Sequence, residues 1–247
     1  MAPPDRGVRH HPDVRSGWGR ALIVTVLVGL AASGCAELPV VEPPAPRVVG
    51  GDAVTVLATL PVKGRAPRTG YEREQFGERW QDIDHNGCDQ RNDVLARDLA
   101  QVAFQEGTHS CVVRTGVLHD PYSGQTVPFT RGQDTSDDVQ IDHVVALSNA
   151  WQTGAQQLDE ATRERFANDL LNLMATDGRV NQAKGDADAA TWLPPSRGFR
   201  CAYVARQVAV KAKYGLWVTP AEHDAISRVL TGCPGEPLPP DSGVDPA

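Results

Sequence analysis

Asp142 and His143 stand side by side inside VQIDHVVAL, a β-branched apolar run from Val139 to Leu147. Burying either ionisable group without a partner is costly. The pair is therefore either a hydrogen-bonded brace near a strand end or part of a reactive site. Two more polar interruptions follow. Asn172 lies within LLNLMAT, where a buried amide must find partners, and Asn181, Lys184 and Asp186 fall in NQAKGD. An imidazole with an ordinary pKa near ~6.5 is largely free to take a proton at neutral pH. Amide and carboxylate oxygens are hard donors for a cation. Together these residue types suit the activation of water beside a bound ion.

The elements that must position them follow from the pattern of apolar residues. Val139–Leu147 predicts a strand, and Leu171–Ala175 a second strand that pairs back on it. Asp177 is placed to cap a short helix over Val180–Lys184. The centre of the chain thus reads as strand, excursion, strand, short helix, with Asp159–Ala167 helical within the excursion. Upstream, Asp89 caps a helix predicted to run to Glu106, with Leu95, Leu99 and Val102 at helical spacing. SCVVRTGVLHDPYSGQTVPF reads as a hairpin around its Asp-Pro-Tyr-Ser-Gly turn. Phe199–Tyr214 and Pro220–Leu230 complete the set, the second with Pro at the start of the helix behind Thr219. Adjacent strand residues point to opposite faces. Asp142 and His143 can serve one site only where the strand ends, twists or bulges.

The ends of the 247-residue chain read differently. Arg6, Arg9, Arg15 and Arg20 precede the apolar run Ala21–Ala32, which breaks into Ser33-Gly34-Cys35. That is the layout of an export signal, too short for a membrane span of roughly 20 residues. Ala-Ser-Gly-Cys resembles a lipobox, which makes Cys35 the candidate for lipidation. Residues 36–53 read as a Pro/Gly-rich tether and 235–247 as a disordered tail. The remainder, 54–234, reads as a single domain. In an exported chain the four other cysteines read as disulfides, and sequence proximity favours Cys88 with Cys111 and Cys201 with Cys233. A zinc site from His85, Cys88, His109 and Cys111 is the rival reading. A net charge of −7 argues against binding driven by overall charge. However, Arg197, Arg200, Arg206, Lys211 and Lys213 form a basic stripe between Ser196 and Trp217 free of acidic residues.

The sequence D-H-V-V, then N-L-M-A-T, then N-x-x-K-G-D, resembles the HNH endonucleases. It is closer to exported bacterial HNH-family proteins related to the C-terminal domain of GmrSD-type restriction endonucleases. The likeness extends from about Arg79 to Cys233 and includes NGCDQRNDVLARDL, GDADAATWLP and CAYVARQVAVKAKYGLWVTPAE. It implies an α+β fold with a ββα-metal (His-Me finger) core, carrying extra helices and a β-hairpin. It also implies that His143 is the general base, that Asp142 and Asn181 hold one metal ion, and that Asn172 orients His143 or its loop. Oxygen donors of this kind suit Mg²⁺ or Mn²⁺. The implied reaction is hydrolysis of nucleic-acid phosphodiesters, DNA foremost, by a monomer that meets membrane only through a lipid.

Several side chains keep two readings. Lys184 is a phosphate contact or a charge at a helix C-terminus. Arg91 binds phosphate or braces the first helix. Arg200, Arg206 and Lys211 track a nucleic-acid backbone or form an ordinary solvated face. His119 is an outside candidate for supporting the site, while Trp192 and Trp217 read as core. The rival function is a non-catalytic nucleic-acid-binding or cell-envelope lipoprotein.

Overall fold

The structure, a computed structural model, describes residues 51–241. The export signal with Cys35, the tether up to residue 50 and the tail beyond residue 241 lie outside the described residues.

Helix α1 (Ala53–Leu57) opens the described chain, with Asp52 accepting from the Thr55 amide. Helix α2 (Gln90–Asp98) is capped by Asp89, as its sequence predicts. Its predicted extension to Glu106 is wrong: the chain turns extended at Leu99 and becomes β1 (Leu99–Phe104). Apolar residues at 95, 99 and 102 satisfy a helix locally. Pairing with β2 (Val113–His119) wins, with a register shift between Ala100 and Ala103 that holds Gln101 at φ +52°. Strand β3 (Thr126–Thr130) returns antiparallel on β2, so the predicted hairpin forms two-thirds of a three-stranded sheet.

The second sheet is a separate pair. Strand β4 (Val139–His143) runs antiparallel to β5 (Leu173–Asp177), in register from Val139↔Asp177 to His143↔Leu173. Between them lie α3 (Leu147–Gln152), which the sequence reading missed, and α4 (Glu160–Asn168), capped by Asp159. Helix α5 (Gly178–Lys184) follows β5 directly, with Asp177 accepting from the amides of Arg179 and Val180. Its first residue must be glycine. A Cβ on Gly178 would stand 2.1 Å from the Asp137 carbonyl oxygen.

Alternation along β4 divides its two faces. Val139 and Ile141 pack with Leu173 and Ala175 against Val94, Leu95 and Phe129. On the other side Met174 joins Tyr122, Tyr203 and Val208. Helix α6 (Arg200–Lys213) is the central element of that second core, and α7 (Pro220–Thr231) lies against it behind a Thr219–Glu222 capping box. Each fully buried side chain of this size contributes roughly 1.5–3 kcal/mol.

Both favoured disulfides are present, Cys88–Cys111 and Cys201–Cys233. The zinc alternative fails because its two thiols are spent. The tail reading is corrected for its described part. Glu236 accepts from the Ala53 amide, Pro237 bridges to Asp52, and Asp241 pairs with Lys213 at 2.6 Å.

Candidate active site

The cleft at the open end of β4 has a volume of about 450 Å³ and is lined by Asp142, His143, Ser148, Asn181, Asp186 and Arg68. The sequence reading required an end or a bulge at the Asp-His pair. The structure has an end: the β4–β5 ladder is regular through His143, and the chain then turns through 144–146 into α3. Opposite projection and a shared cleft are thereby compatible. Gln140 and Asp142 reach toward α5, where they meet Asn181 and Lys184. His143 leaves from the other face.

His143 is fixed by two contacts. Its Nε2–H donates to the Ala167 carbonyl oxygen at 2.8 Å, and its ring stacks parallel to Trp80 with centroids 6.2 Å apart. Ala167 lies in the last turn of α4, where carbonyls lack partners within the helix. That bond places the imidazole proton on Nε2 and leaves Nδ1 as the basic nitrogen. Burial pushes the His143 pKa down to about 4, opposed by the Ala167 bond and reinforced by the nearby cations Arg73, Lys184 and Arg79. At neutral pH the ring is uncharged and able to accept a proton.

Asp142 is almost fully buried. One oxygen accepts from Lys184 Nζ at 2.8 Å and the other from the Tyr122 hydroxyl at 2.6 Å. Burial raises its pKa, and Lys184 and Tyr122 oppose that shift. Lys184 is equally buried and also donates to the His143 carbonyl at 2.9 Å. Its reading as a phosphate contact is corrected: the ammonium is an internal clamp joining Asp142 to the backbone of His143.

The structure bears directly on whether these residues suit a cation. Asn181 donates its amide N–H to Gln140 at 3.0 Å, and among the described residues nothing donates to its Oδ1. Each Asp142 oxygen takes one donor and retains a second lone pair. A carboxylate held by two donors and an amide held by one, both on the same cleft, form a donor set of hard oxygens in fixed orientation.

Asn172 stands behind His143 rather than beside it. Its Oδ1 accepts from the Val145 amide at 2.9 Å, and its Nδ2 donates to the carbonyls of Val145 and Phe166. The side chain ties the turn after His143 to the residue before Ala167. It thus holds both ends of the hydrogen bond that orients the imidazole.

The other nucleic-acid assignments are corrected. Arg91 donates to the carbonyls of Ser136 and Val139, bracing the start of β4. Arg200 donates to the Pro194 carbonyl, and Arg206 is partly buried beside Leu171. Lys211 is fully buried, ion-paired with Glu222 at 2.9 Å. The stripe is divided: Lys211 and Lys213 turn inward to carboxylates, Arg200 and Arg206 are half-buried against backbone carbonyls, and Arg197 is exposed. Among the described residues the His119 ring contacts the Thr126 hydroxyl, away from the cleft residues.

Sequence reasoning missed Tyr122, Gln140 and the carbonyl of Ala167. It also missed the cluster in RTGYEREQFGERW, Arg68 to Trp80. The interleaving of Arg68, Arg73 and Arg79 with Tyr71 and Trp80 was a legible signal, overlooked because it precedes the motif by some sixty residues.

Comparison with known proteins identifies relatives of the chain. The profile of the family described as GmrSD restriction endonucleases, C-terminal domain, matches residues 89–229. A protein of Arthroderma benhamiae (strain ATCC MYA-4681 / CBS 112371), described as an uncharacterized secreted protein, is 37% identical over 212 residues, covering 85% of this chain and 98% of its own length. No solved structure matches. With more than half of its length matched, from the cap of α2 through most of α7, the chain belongs to the family of the GmrSD restriction endonuclease C-terminal domain.

Proposed function

We propose that the protein is an exported, metal-dependent endonuclease that hydrolyses phosphodiester bonds of nucleic acid, with DNA as its first substrate. The observation that carries this reading is the bond from His143 Nε2–H to the Ala167 carbonyl, which dedicates Nδ1 to accepting a proton at the cleft. Asp142 and Asn181 hold a single Mg²⁺ or Mn²⁺ ion in this reading. When bound, that ion supplies positive charge against the phosphate oxygens as negative charge builds on them. His143 takes the proton of the attacking water, Asn172 keeps the imidazole in its orientation, and Lys184 with Tyr122 keeps the Asp142 carboxylate aimed. Family membership supports a nuclease, and the secreted relative supports export. Cys35 is the lipid attachment point in this reading, and the protein acts as a monomer.

Supercoiled plasmid incubated with the protein and Mg²⁺ should be relaxed and degraded, and EDTA should abolish the reaction. Plasmid left intact under every divalent ion supports the second reading, a non-catalytic nucleic-acid binder. Within that alternative, the net charge of −7 and the burial of Lys211 and Lys213 favour a cell-envelope lipoprotein over a nucleic-acid binder.

Asn181→Ala separates ligand from scaffold. Its side chain makes one protein hydrogen bond, to Gln140, so the melting temperature should fall little. The Mg²⁺ concentration for half-maximal activity should rise about tenfold or more, the range seen when groups that hold or orient a metal are lost. An early-melting variant with an unchanged Mg²⁺ requirement makes Asn181 structural.

A further inference from the structure

A second group of oxygen donors lies outside the lining of the cleft, in the loop that leads into α2. Residues 82–93 read DIDHNGCDQRND, with carboxylates at Asp82, Asp84 and Asp93, an amide at Asn86 and glycine at Gly87. Counted from Asp82, these stand at positions 1, 3, 12, 5 and 6. That is the spacing of the twelve-residue calcium loop D-x-D/N-x-D/N-G-x5-E, with Asp in place of the final Glu. The segment folds accordingly. Asp82 accepts from the amides of Asn86 and Gly87, and Asn86 Nδ2 donates to both Asp84 and Asp93 at 3.2 Å, which brings the last position back to the first three. Gly87 takes φ +91° at the turn, and α2 follows as the exiting helix does in such units. No helix enters the loop, which is closed instead by the Cys88–Cys111 disulfide.

Carboxylates gathered in this way repel one another. Burial raises the pKa of Asp93, and the charges of Asp84, Asp82 and Asp89 push the same way against the Asn86 hydrogen bond. Arg91 does not compensate them, being turned to the carbonyls of Ser136 and Val139. Acidic residues alone would not make a metal site. The independent sign is Gln90 at position 9, where calcium loops supply a further ligand, often through water. Its side chain is fully buried, and neither Oε1 nor Nε2 has a hydrogen-bond partner. Buried amides are otherwise nearly always paired. As the first residue of α2, Gln90 leans toward the helix N-terminus and hence into the loop. Its backbone amide holds the loop's entry by donating to the Trp80 carbonyl at 3.3 Å, and Asp93 lies one turn along on the same face.

We propose that Asp82, Asp84, Asn86, the Cys88 carbonyl, Gln90 and Asp93 hold one Ca²⁺ ion, at a site separate from the cleft. The donors are all oxygens, three of them from carboxylates. They suit a hard cation that accepts about six to eight ligands in flexible geometry better than Mg²⁺, which demands a near-ideal octahedron. Asp93 reaches less far than the usual closing Glu, and the protein is exported. The affinity accordingly belongs in the range of about 10⁻⁴–10⁻³ M found in extracellular modules. When bound, the ion fixes the segment that presents Trp80, two residues ahead of Asp82, to the His143 ring. The site does not depend on the nuclease reading, and its test uses no substrate.

The mature protein, freed of metal with EGTA and dialysed, is titrated with Ca²⁺ by calorimetry and melted with and without about 10 mM Ca²⁺. One ion should bind per chain. The melting temperature should rise by about 3–11 °C, the shift that this affinity range gives a ligand of the folded state, and Mg²⁺ at the same concentration should move it far less. Asp84→Asn and Asp93→Asn should each weaken Ca²⁺ binding about tenfold or more, while the metal-free melting temperature stays level or rises because repulsion is removed. A merely structural role for these carboxylates would lower it. Gln90→Leu should also weaken binding without destabilising the metal-free protein, since two unpaired polar atoms leave the interior. Asp134→Asn, at an exposed carboxylate outside the loop, is the control and should behave like wild type. A wild-type protein with neither Ca²⁺ heat nor a melting shift overturns the site. So does a shift that survives in the Asp84→Asn, Asp93→Asn double variant, or one that disappears in Asn181→Ala and so moves the ion to the cleft.

Discussion

His143→Ala is expected to lower the rate of plasmid cleavage by about 10²–10⁴, the usual contribution of a positioned general base. The loss should appear in kcat, with the Mg²⁺ requirement and duplex affinity near those of wild type. Removing the ring takes away one hydrogen bond and the stacking partner of Trp80, neither of which holds the two sheets together. A modest fall in melting temperature is the expected structural cost. Initial rates of loss of supercoiled plasmid, measured on protein with a native circular dichroism spectrum, provide the check. A His143→Ala protein that cuts as fast as wild type would end the assignment of the base.

The second large effect is on stability, and it tests the inward course of α6. Lys211 and Glu222 are both buried, and Lys211 Nζ also donates to the Trp217 carbonyl. Breaking a buried pair from one side typically costs about 3–5 kcal/mol, because a charge is left without its partner. In a domain of this size each kcal/mol lowers the melting temperature by roughly 2–4 °C. Lys211→Met should therefore melt about 6–20 °C below wild type, as read by calorimetry. Adding Glu222→Gln should recover part of the loss, since the orphaned carboxylate is then removed. The duplex affinity of Lys211→Met, measured well below its melting point, should be unchanged. A stable Lys211→Met with weakened binding would restore this lysine to the nucleic-acid surface.

Much of the site's framework was legible because local chemistry and tertiary outcome coincide there. Asp177 caps α5 by its own side chain, and Thr219 with Glu222 closes a box at α7, so those helix starts are set by a few neighbouring residues. The β4–β5 pair was legible for a different reason: most positions of both strands are buried, and apolar residues surround the polar ones. What escaped depended on distant partners. Leu99 and Val102 have the spacing of a helix and become strand because β2 offers backbone partners. The basic residues of α6 look solvent-facing in sequence, and nothing local shows that Glu222 and Asp169 wait beneath them. Asn172 could be recognised as a buried amide in need of partners, whereas the identity of those partners required the fold.

The acceptor for the imidazole proton belongs to α4, in the stretch that separates the two strands, and not to either strand or to α5. That stretch is an excursion between two paired strands, the kind of connection a redesign would shorten first. Here it is the third support of an imidazole whose other two are its own strand and Trp80. A graft that moved only β4, β5 and α5 into a new scaffold would carry the donor oxygens intact and leave the imidazole free to choose either tautomer. Changes in loop length before Asn168 should thus tune reactivity without altering a single residue that touches substrate.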